Sequence, residues 1–178
     1  MTAQKYNLDA NYGEDLQRNF YIGQGARIDI SAFSKLDASN VTVQSAGHGR
    51  SNGDRIVIIN SDYYNGSYAI DNAAIDSFSI QSIFEKTETK ADWCDAFNLT
   101  GYTVEAKVWE EANDTTPALT LTASIVSAAG GHIRISASDT EIETLDIKNY
   151  LWDLTIIDNT GLRSRFFDGV FAVTGRGA

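Results

Sequence analysis

From Phe97 to Gly175 apolar residues recur at every second position in run after run, and turn sequences separate the runs. A period of two puts alternate side chains on one face of an extended strand, so each run must bury one face against another part of a sheet. Tyr102, Val104, Ala106 and Val108 share one such face, and Leu119, Leu121, Ala123 and Ile125 share the next. Glu110 to Pro117 reads as a polar loop between them. Gly130-Gly131 turns the chain into His132–Ser136. Tyr150 to Ile157 forms another strand, Asp158-Asn159-Thr160-Gly161 is a hairpin turn, and Leu162 to Val173 returns beside it. One segment breaks the pattern. Ser138-Asp139-Thr140-Glu141 fits a capping box, in which a Ser hydroxyl and a Glu three residues later satisfy exposed amides, so one or two helical turns are expected to run to about Leu145.

The first half is β-rich in a different texture. Tyr12-Gly13-Glu14-Asp15 forms a turn before a strand in which Leu16 and Phe20 face inward. Gly23 and Gly25 break the run, and Ala26 to Ile30 alternates again. Short strands then follow at Val41–Val43, Arg55–Ile59, Tyr68–Ile70 and Asp76–Ile83. Gly47 to Asp54 is a glycine-rich turn. Asn65-Gly66 carries the signature of a tight hairpin, because both residues accept positive φ. Glu85 to Lys90 is a charged, exposed connection. The expected organisation is all-β: a sandwich built from residues 1–30 and 91–178, split by a small barrel over residues 35–85.

Composition narrows the function classes. The 178 residues carry a formal net charge of -10, which repels phosphate backbones and anionic lipid, so neither nucleic acid nor membrane is an expected partner. Arg163, Arg165 and Arg176 form too small a basic patch to reverse this. No apolar run reaches the roughly 20 residues of a membrane span. The N-terminus lacks the apolar stretch of a signal peptide, so assembly in a cytoplasm is expected. The single Cys94 precludes an intrachain disulfide and reads as a buried thiol.

Two segments resemble known modules. His48-Gly49-Arg50-Ser51-Asn52-Gly53-Asp54, Tyr64-Asn65-Gly66-Ser67-Tyr68 and Ser77-Phe78-Ser79-Ile80 follow, in order and spacing, a small SH3-like barrel found in phage virion proteins. Outside them, the chain is similar to the N-terminal module of the baseplate upper protein family of tailed phages. That similarity rests on Asn11 to Leu16, Asn98-Leu99-Thr100-Gly101-Tyr102, Gly131 to Ile135, Ser138 to Leu145, Tyr150 to Leu154 and Arg163 to Val173. The resemblance implies an Ig-like β-sandwich with one short helix and a structural role in the virion. The chain would be an adaptor in the tail or baseplate, linking to fibres or receptor-binding proteins as a homo-oligomer in a symmetric assembly. Its end at Ala178 leaves the expectation of an adaptor without its own fibre stalk. Head or neck decoration is the neighbouring reading.

Chemical motifs are sparse. There is no G-x-S-x-G, Walker loop, H-E-x-x-H or Cys pair, so no enzyme, cofactor or metal is expected. His48 and His132 are weak candidates for catalysis. Asp71, Asp76 and Asp158 lack calcium-loop spacing, and Asp139, Glu141 and Glu143 sit at a helix start, where acids favour the dipole. A carboxylate pair across a cleft, as hydrolases of sugars use, needs no sequence signature. The candidate interaction surface is Tyr63, Tyr64, Asn65, Trp93, Arg163 and Arg165. A carbohydrate-binding reading needs Tyr63, Tyr64 and Trp93 to form an exposed platform.

Overall fold

The computed structural model describes residues 4–175; the N-terminal Met1-Thr2-Ala3 and Arg176 of the expected basic patch lie outside them. The chain is all-β. Its strands are β1 (Gln4–Lys5), β2 (Leu8–Asn11), β3 (Leu16–Tyr21), β4 (Gly23–Ile30), β5 (Ala32–Lys35), β6 (Asn40–Gln44), β7 (Arg55–Ile59) and β8 (Gly66–Ala69). They continue as β9 (Ser77–Gln81), β10 (Ala91–Ala96), β11 (Thr103–Trp109), β12 (Leu119–Ser127), β13 (His132–Ala137), β14 (Asn149–Ile157) and β15 (Arg163–Thr174). The one helix among the described residues, α1, spans Asp139–Ile142, with Ser138 at its N-cap and a complete Ser138–Glu141 capping box.

The chain divides into two compact units. The first takes the chain up to Asn19, Thr100–Val126, and the chain from Ile133 onward; the second takes Phe20–Leu99 and Ser127–His132. The divisions fall within the 1–30 and 91–178 segments expected to form the sandwich. β4 pairs with β10 and β10 with β7, so these outer strands belong to the inserted unit and not to the surrounding one. The inserted unit is correspondingly larger than the 35–85 stretch read from the sequence.

The first unit is built on one eight-stranded sheet in the order β1-β15-β14-β11-β12-β13-β3, with β2 also on β15. Leu8 of β2 lies opposite Phe171, and both are buried. The leading segment therefore pairs at both ends of the sheet. Five Cα steps join Asn11 to Leu16, a reach of at most about 19 Å. A flat sheet would hold β2 and β3 six strand spacings apart, about 29 Å. The sheet must curl, and its concave face becomes the core. Tyr150, Trp152, Leu154 and Ile156 of β14 point into it, together with Ala106, Val108, Ile133, Ile135 and Phe171. Ile142 of α1 is also fully buried, and Asp139 N–H donates to Asp15 Oδ1 at 2.9 Å, which ties the helix to the turn before β3.

The second unit has two sheets, β4-β10-β7-β8 and β5-β6-β9. One core joins them: Ile30, Ile56, Ile58 and Trp93 from the first meet Phe33, Val41, Val43, Phe78 and Ile80 from the second. Trp93 Nε1–H donates to Ser45 Oγ at 2.8 Å, which satisfies the buried indole donor. The Asn-Gly signal is used differently from expectation. Gly66 already lies in β8, opposite Ile58. The connection spans residues 60–65, begins at Asn60 with φ 59°, and is closed by the Asn65 side chain. Asn65 Oδ1 accepts from Ser61 N–H at 3.0 Å and Asn65 Nδ2 donates to Ser61 O at 2.5 Å. An amide side chain that mimics a backbone turn replaces the tight two-residue hairpin.

One glycine of the first unit is fixed by approach and not by φ. A Cβ on Gly169 would stand 2.1 Å from Tyr6 O, where the leading segment runs parallel beside β15 between β1 and β2. There Tyr6 N–H donates to Asp168 O at 2.8 Å and Trp152 Nε1–H donates to Tyr6 O at 2.7 Å. Gly169→Ala is expected to cost about 3 kcal/mol, because backbone and not a flexible side chain must yield. Denaturant unfolding measures that cost. Hydrogen exchange at residues 4–11 should rise with it; unchanged stability and protection would contradict this close approach.

Candidate functional site

The convex face of the first unit carries the charge that the concave face excludes. Because the pairs Lys107↔Asp153, Asp153↔Asp168 and Asp168↔Lys5 are in register, four strands contribute one cross-strand row: Lys107, Asp153, Asp168, Lys5. Directly opposed residues of a sheet have Cβ atoms about 5 Å apart, and like charges so placed repel. The Asp153–Asp168 opposition is thus a local cost that the surroundings offset.

The offsets are specific. Trp109 Nε1–H donates to Asp153 Oδ2 at 3.0 Å, and Arg165 Nη2 stands 3.3 Å from the same oxygen. Thr155 Oγ1 donates to Asp153 Oδ1 at 3.5 Å. Asp153 is only 7% exposed, so these contacts hold a carboxylate that has little water of its own. Lys5 Nζ donates to Asp168 Oδ2 at 3.0 Å. Asp168 Oδ1 is buried and has no hydrogen-bond partner among the described residues. The side chains surround a groove of about 410 Å³, whose walls include Trp109, Leu151, Asp114 and Ala112.

A register shift builds this arrangement. Counted from the hairpin turn, Ile157 pairs with Arg163 and Thr155 with Arg165, but Leu154 pairs with Phe167. One extra residue in β15 therefore lies between Arg165 and Phe167. The shift turns Asp168 onto the convex face beside Asp153 and leaves Phe167 and Phe171 to the core.

The six residues singled out from sequence separate in the structure. Tyr64 and Trp93 are fully buried, so the exposed aromatic platform does not form. Tyr64 stacks on Phe33 at 4.3 Å between centroids and donates its hydroxyl to Lys86 O at 2.8 Å; both rings went to the core because they are the largest apolar groups available to fill a two-sheet interior. Tyr63 alone is half exposed, and Asn65 is exposed while closing its loop. Arg163 and Arg165 are exposed but already paired, with Glu105 at 2.5 Å and Asp153 at 3.3 Å. His48 is buried: Nε2 donates to Ala74 O at 2.6 Å and Ser77 O at 3.1 Å, and Nδ1 accepts from Arg50 N–H at 3.1 Å. Every nitrogen of that ring is used to hold a loop. His132 stacks on Tyr21 with centroids 4.7 Å apart. Cys94 is buried, and burial pushes its thiol up from the usual range. Among the described residues no group of three or more His, Cys, Asp or Glu side chains could hold a metal ion.

Trp109, Asp153, Asp168 and Lys5 were missed. The Asp in Trp152-Asp153-Leu154 is a carboxylate inside an otherwise apolar run, which was the one available signal. Counting from the turn pairs it with Phe167, so the extra residue concealed Asp168.

Beside the groove, the Arg163 guanidinium and then the Lys107 ammonium hold the Glu105 carboxyl at about 2, well below its usual 4.5. A depressed carboxylate contributes stability that is fully present above its unfolded value and is lost as pH falls through the folded one. The stability gap between the native chain and Arg163→Gln is therefore expected to be widest above about pH 5 and to close as pH falls toward about 2. Thermal melts across that range measure it, and a gap independent of pH would contradict the pairing.

No protein-family model matches this chain, and no curated protein matches it.

Proposed function

We propose that this chain is a structural virion protein of a tailed bacteriophage: an adaptor in the tail or baseplate that links to fibres or receptor-binding proteins. The reading assigns it no catalytic step. Its sequence motifs fall at structural junctions. The Asn11–Leu16 turn spans the two ends of the curled sheet, the Ser138–Glu141 box caps α1, and Tyr150–Leu154 runs through the sheet between β11 and β15. The His48–Asp54 segment acts as a latch: Ala73 N–H donates to Asn52 Oδ1 at 2.8 Å, and Gly53 N–H donates to Ile70 O at 2.8 Å. Motifs of this kind specify shape, which suits a component whose work is to be held and to hold.

The observation that carries the reading is the edge of the second unit. β4 is an eight-residue edge strand, exposed along most of its length, and no described strand pairs with its outer side. Unpaired edges are templates for an added strand, and an assembly uses them by β-augmentation. Repetition in a symmetric particle would make modest contacts sufficient.

The test is mass spectrometry of density-purified particles of the phage that encodes the chain, followed by cross-linking. The reading expects the chain in the particle at a fixed copy number, cross-linked to tail or baseplate proteins and to itself. A chain that stays in the lysate and is missing from the particle would overturn it.

A further inference from the structure

We propose that the convex-face groove of the first unit binds a neutral saccharide ring. Three features define what fits. The groove, at about 410 Å³, has the size of a small-ligand site. Trp109 and Leu151 supply apolar wall on one side, and Leu151 is 39% exposed although it lies at the middle of a sheet. Donors and acceptors line it together: Lys5 and Arg165 donate, Asp168 Oδ2 accepts from Lys5, and Asp168 Oδ1, buried behind it, lacks a partner among the described residues.

Charge decides the class of ligand. A cation entering the groove meets Lys5 and Arg165, and an anion meets Asp153, Asp168 and Asp114. Within the pairs Lys5–Asp168 and Arg165–Asp153 the charges neutralise each other, and the remaining Asp114 accepts from Glu111 N–H at 2.8 Å. A sugar hydroxyl both donates and accepts, so it can donate to the Asp168 carboxylate at the oxygen Lys5 now covers while accepting from Lys5 or Arg165. The C–H face of the same ring suits the indole of Trp109. Lys5 is 79% exposed in its side chain and holds Asp168 through one surface contact, so it can move aside at little cost. An opposed carboxylate pair on a sheet face is a local conflict, and such conflicts concentrate where function requires them.

The groove would bind sugar whether or not the chain belongs to a virion. Particle composition tests that reading, and solution binding tests this one, so the two fail separately. The experiment is ligand-observed NMR on the full chain with glucose, galactose, N-acetylglucosamine and their disaccharides. Methylguanidinium and inorganic phosphate serve as cation and anion probes. At least one saccharide is expected to bind, with affinity weakened about tenfold or more in Asp168→Asn, which removes a charged acceptor at constant shape. Trp109→Ala should also abolish the signal, and Tyr63→Ala should leave it unchanged. Circular dichroism and melting confirm that each variant is folded; should Trp109→Ala not fold, Ala112→Trp, which fills the groove from an exposed loop, takes its place. No saccharide signal at about 10 mM, binding of only the charged probes, or saccharide binding that survives both Asp168→Asn and the groove variant would overturn the proposal.

Discussion

The pairing of β14 with β15 governs the first unit. It is the longest ladder in the sheet, and it changes register by one residue between Leu154 and Thr155. Because side chains alternate with a period of two, a shift of one exchanges inside for outside on everything beyond it. On one side of the shift β15 shows Arg163 and Arg165 outward. On the other it shows Asp168 outward and sends Phe167, Phe171 and Val173 into the core. A single extra residue thus supplies the core with its aromatic wall and the convex face with its opposed carboxylates.

The curl follows from a second constraint. A leading segment that pairs with β15 and then, after a four-residue turn, forms β3 next to β13 forces the two ends of the sheet toward each other. Gly169 permits the close approach of Tyr6 as the leading segment runs along β15. Trp152 is held by Tyr6 twice: its ring packs edge-on against the Tyr6 ring at 6.5 Å and its N–H is bonded to Tyr6 O. Convex-face chemistry is then a consequence of concave-face packing. The residues that alternate with Trp152 and Leu154 have to point outward, and Asp153 is one of them.

Much of this was legible in the sequence. Period-two alternation located β11, β12, β14 and β15, the Ser138 box located α1, and the Asp158–Gly161 turn located the last hairpin, where Gly161 N–H donates to Asp158 O at 3.0 Å. What escaped depended on pairing, which local pattern does not encode. Ala26–Ile30 reads as a strand but its partner β10 does not stand out in the sequence, so the inserted unit is larger than the stretch read for it. Asn65-Gly66 read as a tight turn because its residues permit one, yet the Asn65 side chain does the closing. Tyr64 and Trp93 read first as packing residues and only as an alternative as a binding platform, and burial puts both in the core. The Asp153–Asp168 opposition was hidden by the one-residue shift, since period and turn give register only where strands are regular.

The most direct measurement of this account is the set of cross-strand nuclear Overhauser contacts between β14 and β15. The shifted ladder predicts contacts of Asp153 with Asp168 and of Leu151 with Val170, alongside Thr155 with Arg165. A regular ladder, with Asp153 against Phe167 and Leu151 against Gly169, would contradict it and would take the acidic pair, the groove and the ligand assigned to it away together.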